Sequence, residues 1–334
     1  MIVLNKKHKS KLSKYKFIDL FSGIGGFRLA LESFGAKCVF SSEWDVHAQQ
    51  MYGNYFGETP VGDITKIPEK SIPKHNILCA GFPCQAFSVS GKQKGFQDTR
   101  GTLFFDIVRI ANYRKPEILF LENVKNFEKH DKGNTLNIVK STLKKIGYDS
   151  YHKVINASHM GVPQKRERIY ILCFHKKLKV KSFCFPKEQY APVILKDYLL
   201  PDAKTKKYVI NRDDIYLKKH VKVEIDLFGN YPLKPIRIGT VNKGGQGERI
   251  YHECGHAITL SAYGGGVGAK TGLYDINGKI RKLTPRECAN IMGFPKNFPI
   301  DDSKSQAYKQ FGNSVIPDIL QQILLEIIEQ RILP

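Results

Sequence analysis

The sequence predicts an α/β protein built on a doubly wound, mostly parallel sheet, joined to a smaller glycine-rich domain of β-strands and loops. Three observations carry this. Short apolar runs such as Phe17-Ile18-Asp19-Leu20-Phe21 and Glu117-Ile118-Leu119-Phe120-Leu121 read as buried strands. Amphipathic stretches alternate with them, as layered sheet-and-helix folds require. From Gly239 to Gly278 there are 11 glycines among 40 residues, a density that disfavours helix and favours short strands and tight loops.

At 334 residues the chain can bury a sizeable core. No run of apolar residues is long enough to span a bilayer, and no apolar leader opens the sequence, so a cytoplasmic setting is expected. Seven cysteines are odd in number and never form a C-x-x-C pair, which argues against a disulfide framework and a zinc site, and no metal is expected. The formal net charge of +22 favours a polyanionic partner, with nucleic acid foremost. Residues 197–284 carry about their proportional share of this excess, so charge alone does not locate a binding face.

In chain order, residues 1–16 hold six lysines and no acid and read as a flexible basic arm. The strand at Phe17 runs into Ser22-Gly23-Ile24-Gly25-Gly26, a tight turn, and then a helix through Phe34. The strand Cys38–Ser42 ends in Glu43-Trp44, and an acid at the end of a second strand is where a nucleotide ribose is held. The spacing Gly-x-Gly-Gly departs from the pyrophosphate fingerprint and suits a cofactor without a diphosphate. Trp44, the one tryptophan, reads as an adenine platform or as ordinary packing, and Asp63 as an acceptor for an exocyclic amine or as a turn cap.

The stretch Cys79-Ala80-Gly81-Phe82-Pro83-Cys84-Gln85 ends a buried strand in a stiff turn followed by a thiol, ahead of a small polar loop, Gln85 to Ser90, and Gly91-Lys92-Gln93-Lys94-Gly95. Cys84 reads as a nucleophile, although buried structural thiols are the commoner case at such a position. A helix is expected over Thr102–Ala111. The strand Glu117–Leu121 then delivers Glu122-Asn123-Val124 to its end, where Glu122 would be a general acid or charge partner, or close the next turn. A helix over about Thr135–Ile146 and a strand over Tyr151–Ala157 lead to Gln164-Lys165-Arg166-Glu167-Arg168 at the mouth of the strand Ile169–Phe174. Near the C-terminus, Ser314 to Ile332 has the apolar spacing of a helix.

Phe21-Ser22-Gly23-Ile24-Gly25-Gly26, Gly81-Phe82-Pro83-Cys84-Gln85, Glu122-Asn123-Val124 and Gln164-Lys165-Arg166-Glu167-Arg168 stand in this order. With Arg286-Glu287-Cys288 and Gln310-Phe311-Gly312-Asn313-Ser314-Val315, they resemble the cytosine-C5 DNA methyltransferases of bacterial restriction-modification systems over nearly the whole chain. The resemblance implies the sheet of S-adenosylmethionine-dependent methyltransferases, S-adenosylmethionine as cofactor with S-adenosylhomocysteine as product, and double-stranded DNA and a functionally paired restriction endonuclease as partners. It implies a catalytic set of Cys84, Glu122, Arg166 and Arg168. Cofactor contacts would fall to Phe21, Gly23, Ile24, Gly25, Glu43, Trp44, Asp63, Ile64, Pro83, Leu103, Asn313 and Ser314. DNA contacts would fall to Ser90, Gln246, Arg249, Thr259 and Tyr263.

A base inside a duplex hides C6 from a thiol, so the target would be flipped out, with Ser90 and Gln246 filling the gap. The segment Gly239–Tyr274 is similar to the recognition region of family members that modify the inner cytosine of GCGC, which implies that target. The organisation expected is a basic arm over 1–16, a catalytic and cofactor domain over 17–196, a target-recognition domain over 197–284, a hinge over 285–312, and a returning helix over 313–334. A dehydrogenase would explain the glycine turn and Glu43 but not Pro83-Cys84. A tRNA methyltransferase would lack this recognition region, and a silent DNA-binding module would have no need of Cys84, Glu122 and Arg168 together.

Overall fold

The computed structural model describes residues 8–83, 103–188, 191–219, 221, 223–227 and 229–333. The chain divides into two compact units, one formed by residues 2–155, 167–186 and 320–334, the other by 156–166 and 187–319.

In the first unit, β1 (Lys16–Leu20), α1 (Gly26–Glu32), β2 (Lys37–Ser42), α2 (Val46–Phe56), β3 (Ile77–Gly81), α3 (Leu103–Arg114), β4 (Ile118–Val124), α4 (Asn134–Lys145), β5 (Tyr148–Asn156) and β6 (Glu167–His175) follow one another. The six strands form one sheet in the order β2-β1-β3-β4-β6-β5. The first four are mutually parallel, and β6 enters antiparallel to β4, so the sheet is mixed. Central strands covered on both faces require continuous apolar runs, and Ile18, Leu20, Leu78, Ala80, Leu119 and Leu121 meet in one buried cluster with Ile107, Ile110, Val139 and Leu143 of the helices. Strand order reverses at β1, and the carboxyl ends of β1 and β3 therefore flank the crevice where such sheets take ligands.

Two expectations change here. The described part of the basic arm is not free, because Leu12 and Tyr15 interrupt the lysines and are buried, and Leu12 N–H donates to the Phe34 carbonyl at 2.9 Å. Glu122, Asn123 and Val124 are the last residues of β4 rather than residues beyond it, since they stay paired with β6 across Tyr170, Ile169 and Arg168.

The second unit is built around a five-stranded sheet of β7 (Tyr216–Leu217), β8 (Arg237–Thr240), β9 (Arg249–His252), β10 (Leu273–Ile276) and β11 (Lys279–Arg281), ordered β11-β10-β9-β8-β7. Beneath this sheet Ile238, Val241, Ile250, Leu273 and Ile280 form a buried apolar cluster. The segment expected as a hinge contains α5 (Pro285–Ile291) and α6 (Lys304–Asn313) and belongs to this unit. Arg281 and Glu287, both fully buried, pair through two hydrogen bonds of 2.9 and 2.7 Å, and Glu287 also accepts the N–H of Thr284 and of Leu200. β11 is thereby bolted to the start of α5. Residues 156–166 join this unit because Lys165 N–H donates to the Ala257 carbonyl, Thr259 Oγ1 donates to the Lys165 carbonyl, and buried His256 bridges Ser158 and the Val193 carbonyl.

The last helix, α7 (Pro317–Glu329), passes to the first unit from Leu320 onward, where Gln321 donates to Ser33 Oγ at 2.8 Å. Among the described residues no helix is long and apolar enough to cross a membrane.

Candidate active site

The glycine turn after β1 has the backbone its sequence demands. Phe21, Gly23 and Gly25 all have positive φ, at 54°, 54° and 87°. At Gly25 a Cβ would also stand 2.3 Å from the Phe56 ring, so only glycine fits there. At Gly23 a Cβ would meet no atom within 4 Å, so the turn faces open space. Ile24 between them is buried.

Glu43, just past β2, holds this turn. Its Oε2 accepts Gly23 N–H at 2.8 Å and its Oε1 accepts Asp45 N–H at 2.9 Å. Burial pushes its carboxyl above the usual range, opposed by these two backbone donors. A carboxylate oxygen has two acceptor sites, so each retains capacity for a ligand hydroxyl. Trp44 is 78% exposed, which removes the packing reading and leaves its ring face open beside Glu43. Asp45 caps α2 through the N–H groups of His47 and Ala48, fixing the chain on the far side of Trp44.

Val61 and Gly62 run beside the end of β2, with Glu43 N–H donating to the Val61 carbonyl. They bring Asp63 to the same end. There Asp63 Oδ1 accepts from Thr65 N–H and Oγ1, and these hydrogen bonds hold its carboxyl below the usual range. Asp63 caps the turn through Oδ1, and Ile64 behind it is buried. Pro83 is exposed two residues beyond β3, and Leu103, half-buried, opens α3.

The pair Glu122 and Arg168 is made by strand register. In the antiparallel β4–β6 ladder Arg168 faces Val124, which sets its guanidinium diagonally across from Glu122, two residues earlier, and Nε lies 3.2 Å from Oε1. On the other side, Glu122 is level with Gly81 of β3. Asn123, buried and pointing to the opposite face, donates from Nδ2 to the Phe82 carbonyl at 3.0 Å and accepts Val124 N–H. It clamps the backbone that leads into Pro83-Cys84, a positioning role that residue type alone did not reveal. Its only signal was its place beside Glu122.

Cys84 and Ser90 lie outside the described residues. Arg166, which the resemblance implies as a member of the catalytic set, is turned toward backbone carbonyls. It is buried in the second unit, where its guanidinium donates to the carbonyls of Leu260, Gly312 and Ser314 at 3.1, 3.0 and 2.6 Å. It is a positioning residue that ties the approach to β6 to the glycine-rich segment and the end of α6. Asn313, exposed, and Ser314, buried, belong to this unit also.

Gln246 is exposed in the turn before β9, Arg249 opens that strand half-buried, Thr259 holds Lys165, and Tyr263 is 73% exposed. The loops carrying Gln246 and Tyr263 are joined backbone to backbone. Gly268 N–H donates to the Gly247 carbonyl at 2.6 Å, and a Cβ on Gly247 would lie 2.0 Å from the Gly265 carbonyl oxygen. Among the described residues no cluster of His, Cys, Asp or Glu is arranged to hold a metal ion.

A glycine turn braced by an acid just past the second strand, and a carboxylate–guanidinium pair on β4 and β6, thus stand on one mixed six-stranded α/β sheet. Dnmt2 methyltransferase of S. pombe superposes with a TM-score of 0.71 at 19% identity, covering 95% of this chain and 99% of that one. The sequence model of C-5 cytosine-specific DNA methylases matches residues 15–329, and the chain belongs to that family. Type II methyltransferase M.HhaI of Haemophilus parahaemolyticus is 57% identical over 317 residues, 95% of each chain. M.HpaII of Haemophilus parainfluenzae is 44% identical over 333 residues, 95% of this chain and 90% of its own. The protein is a sequence-specific DNA methyltransferase acting at C5 of cytosine.

Proposed function

We propose that methyl transfer runs through a covalent bond between Cys84 and C6 of a cytosine flipped out of the duplex, with S-adenosylmethionine as donor and the inner cytosine of GCGC as target. The observation that carries this reading is the Glu122–Arg168 pair, level with the strand that leads directly to Pro83-Cys84. The residues around the glycine turn fit the cofactor. Open space at Gly23 admits a chain lying on the backbone, Glu43 keeps acceptor sites for a ribose diol, and the Trp44 face suits adenine. When bound, S-adenosylmethionine supplies an electrophilic methyl group.

The protein's task is to make C5 nucleophilic. Addition of the Cys84 thiolate to C6 uses the C5–C6 π electrons and delivers a pair to C5. Glu122 holds N3 and supplies the proton that the ring needs as charge develops, while Arg168 fixes O2. Once C5 has used this pair to take the methyl group, loss of the C5 proton restores the C5–C6 double bond and expels the thiolate, and the N3 proton returns to Glu122. Arg249 would read a guanine by donating a bidentate pair to O6 and N7 in the major groove. A host carrying this mark is protected from a paired endonuclease that cuts the same site.

Labelled S-adenosylmethionine should transfer its methyl group to duplex DNA and not to tRNA. Bisulfite sequencing of plasmid from expressing cells should show modified cytosine at GCGC and not at GGCC or CCGG. Label entering tRNA, or another sequence pattern, overturns the corresponding part of the reading.

A further inference from the structure

The first unit carries a groove that neither the fold nor the chemistry above accounts for. One wall is the polar face of α4, where Asn137, Lys140, Ser141 and Lys144 recur at helical spacing while Leu136, Val139 and Leu143 face the core. The other wall is Val180 and Lys181, and the floor is Tyr148 to Tyr151 at the start of β5, the edge strand of the sheet. The cavity holds about 580 Å³.

Its charge is uncommitted. Lys140, Lys144 and Lys181 form no ion pair among the described residues, so their ammonium groups are open to an external anion. The groove does contain an acid, Asp149, yet none of the three lysines closes on it. The positive field is felt nearby: burial and then Lys140 hold the His152 imidazole below its usual range. Three ammonium groups around one concave surface, with serine and asparagine donors between them, match spaced phosphates better than a single carboxylate.

Its position separates it from the reaction. Tyr148 stacks edge-on with His175 and donates to the Pro116 carbonyl, which puts the groove beside the beginning of β4. Glu122 and Arg168 lie toward the other end of that strand, roughly 13–20 Å from its start. We propose that the groove between α4 and Lys181 is a second, sequence-independent binding site for the phosphate backbone of duplex DNA. It would engage a segment other than the one being methylated and keep the enzyme on long DNA between sites.

The test uses the full chain and its triple variant Lys140→Gln, Lys144→Gln, Lys181→Gln. Binding to a long duplex without the target sequence should show a log affinity against log salt slope shallower by about 2–3, as expected for three lost phosphate contacts. Single-turnover methylation of a short duplex bearing one target should be unchanged, which separates this result from any failure of the catalytic reading. In the unmodified protein, a long duplex should shield the three lysines from acetylation, and polyglutamate at equal charge should shield them less. An unchanged salt slope, acetylation indifferent to DNA, or shielding by polyglutamate alone overturns the proposal.

Discussion

Glu122 lies near the end of a seven-residue strand with neighbours on both sides in a six-stranded sheet. Arg249 opens a four-residue strand whose surroundings are glycine loops and a buried apolar cluster. The first side chain is aimed by register and a large core, so its position is set by many residues that never touch substrate. The second is aimed by close approach of backbones, so its position depends on the absence of side chains at a few sites. Chemistry common to a family suits the first arrangement, and base specificity, which differs between members, suits the second.

The largest expected effect tests the sheet side. Cys84→Ala should drop methyl incorporation to background with duplex binding retained, because only covalent activation is lost. Glu122→Gln should lower turnover by roughly 10²–10⁴ for want of the same proton transfer. Appreciable turnover in the cysteine variant would remove the covalent route.

Next comes the loop side. Gly247→Ala sets a methyl group 2.0 Å from the Gly265 carbonyl oxygen, so the loops carrying Gln246 and Tyr263 must part. Overpacking of this kind costs roughly 1–3 kcal/mol. Preference for GCGC over single-base variants should fall roughly 10–100-fold, the scale of one bidentate base contact, with the Michaelis constant for the cofactor unmoved. An undiminished preference would show that the loops read DNA independently of one another.

Trp44→Ala tests a side chain that is exposed yet sits in the sheet unit. Loss of one aromatic stacking partner should raise the cofactor's Michaelis constant roughly 3–10-fold and leave that for DNA alone. Equal effects on both constants would take Trp44 out of the cofactor site.

The smallest effect concerns pH, and each unit has its own buried histidine. Burial holds His75 down at about 4, while its imidazole bonds the Pro73 carbonyl at 2.8 Å. His256 in the other unit is lowered too, first by burial. The unfolded chain takes up these protons first, so the stability each contributes is complete above pH ~6.5 and is lost as pH falls, for His75 through about 4. His75→Gln should therefore reduce the loss of stability between neutral pH and pH ~5.5 by about 1 kcal/mol in thermal melts. If His256→Gln flattens the profile instead, the acid-sensitive element belongs to the second unit.

Much of the first unit was legible because its signals are local. Gly23 and Gly25 are needed for positive φ within a few bonds of themselves, Glu43 follows its strand directly, and the apolar runs of β1, β3 and β4 announce double-sided burial. The acids and the thiol read as candidates for the same reason, since each stands at the end of a run. Whether Trp44 packs or faces outward, and whether Asp63 caps or waits for a ligand, could not be read, because both answers use the same residue type.

The sequence by itself determined the alternation of strands and helices, the glycine turn after β1, the glycine-rich character of the second unit and the set of reactive side chains. Tertiary structure alone decided how they are combined. β6 comes in antiparallel beside β4, and this one register brings Arg168 to 3.2 Å from Glu122 across 45 intervening positions. Residues 156–166 leave the sheet for the other unit, and Arg166, two residues from Arg168, spends its guanidinium on carbonyls 94 to 148 residues away. Local preference fixes dihedral angles over a few residues, whereas these placements follow from satisfying buried backbone oxygens and charged groups after the chain has closed on itself.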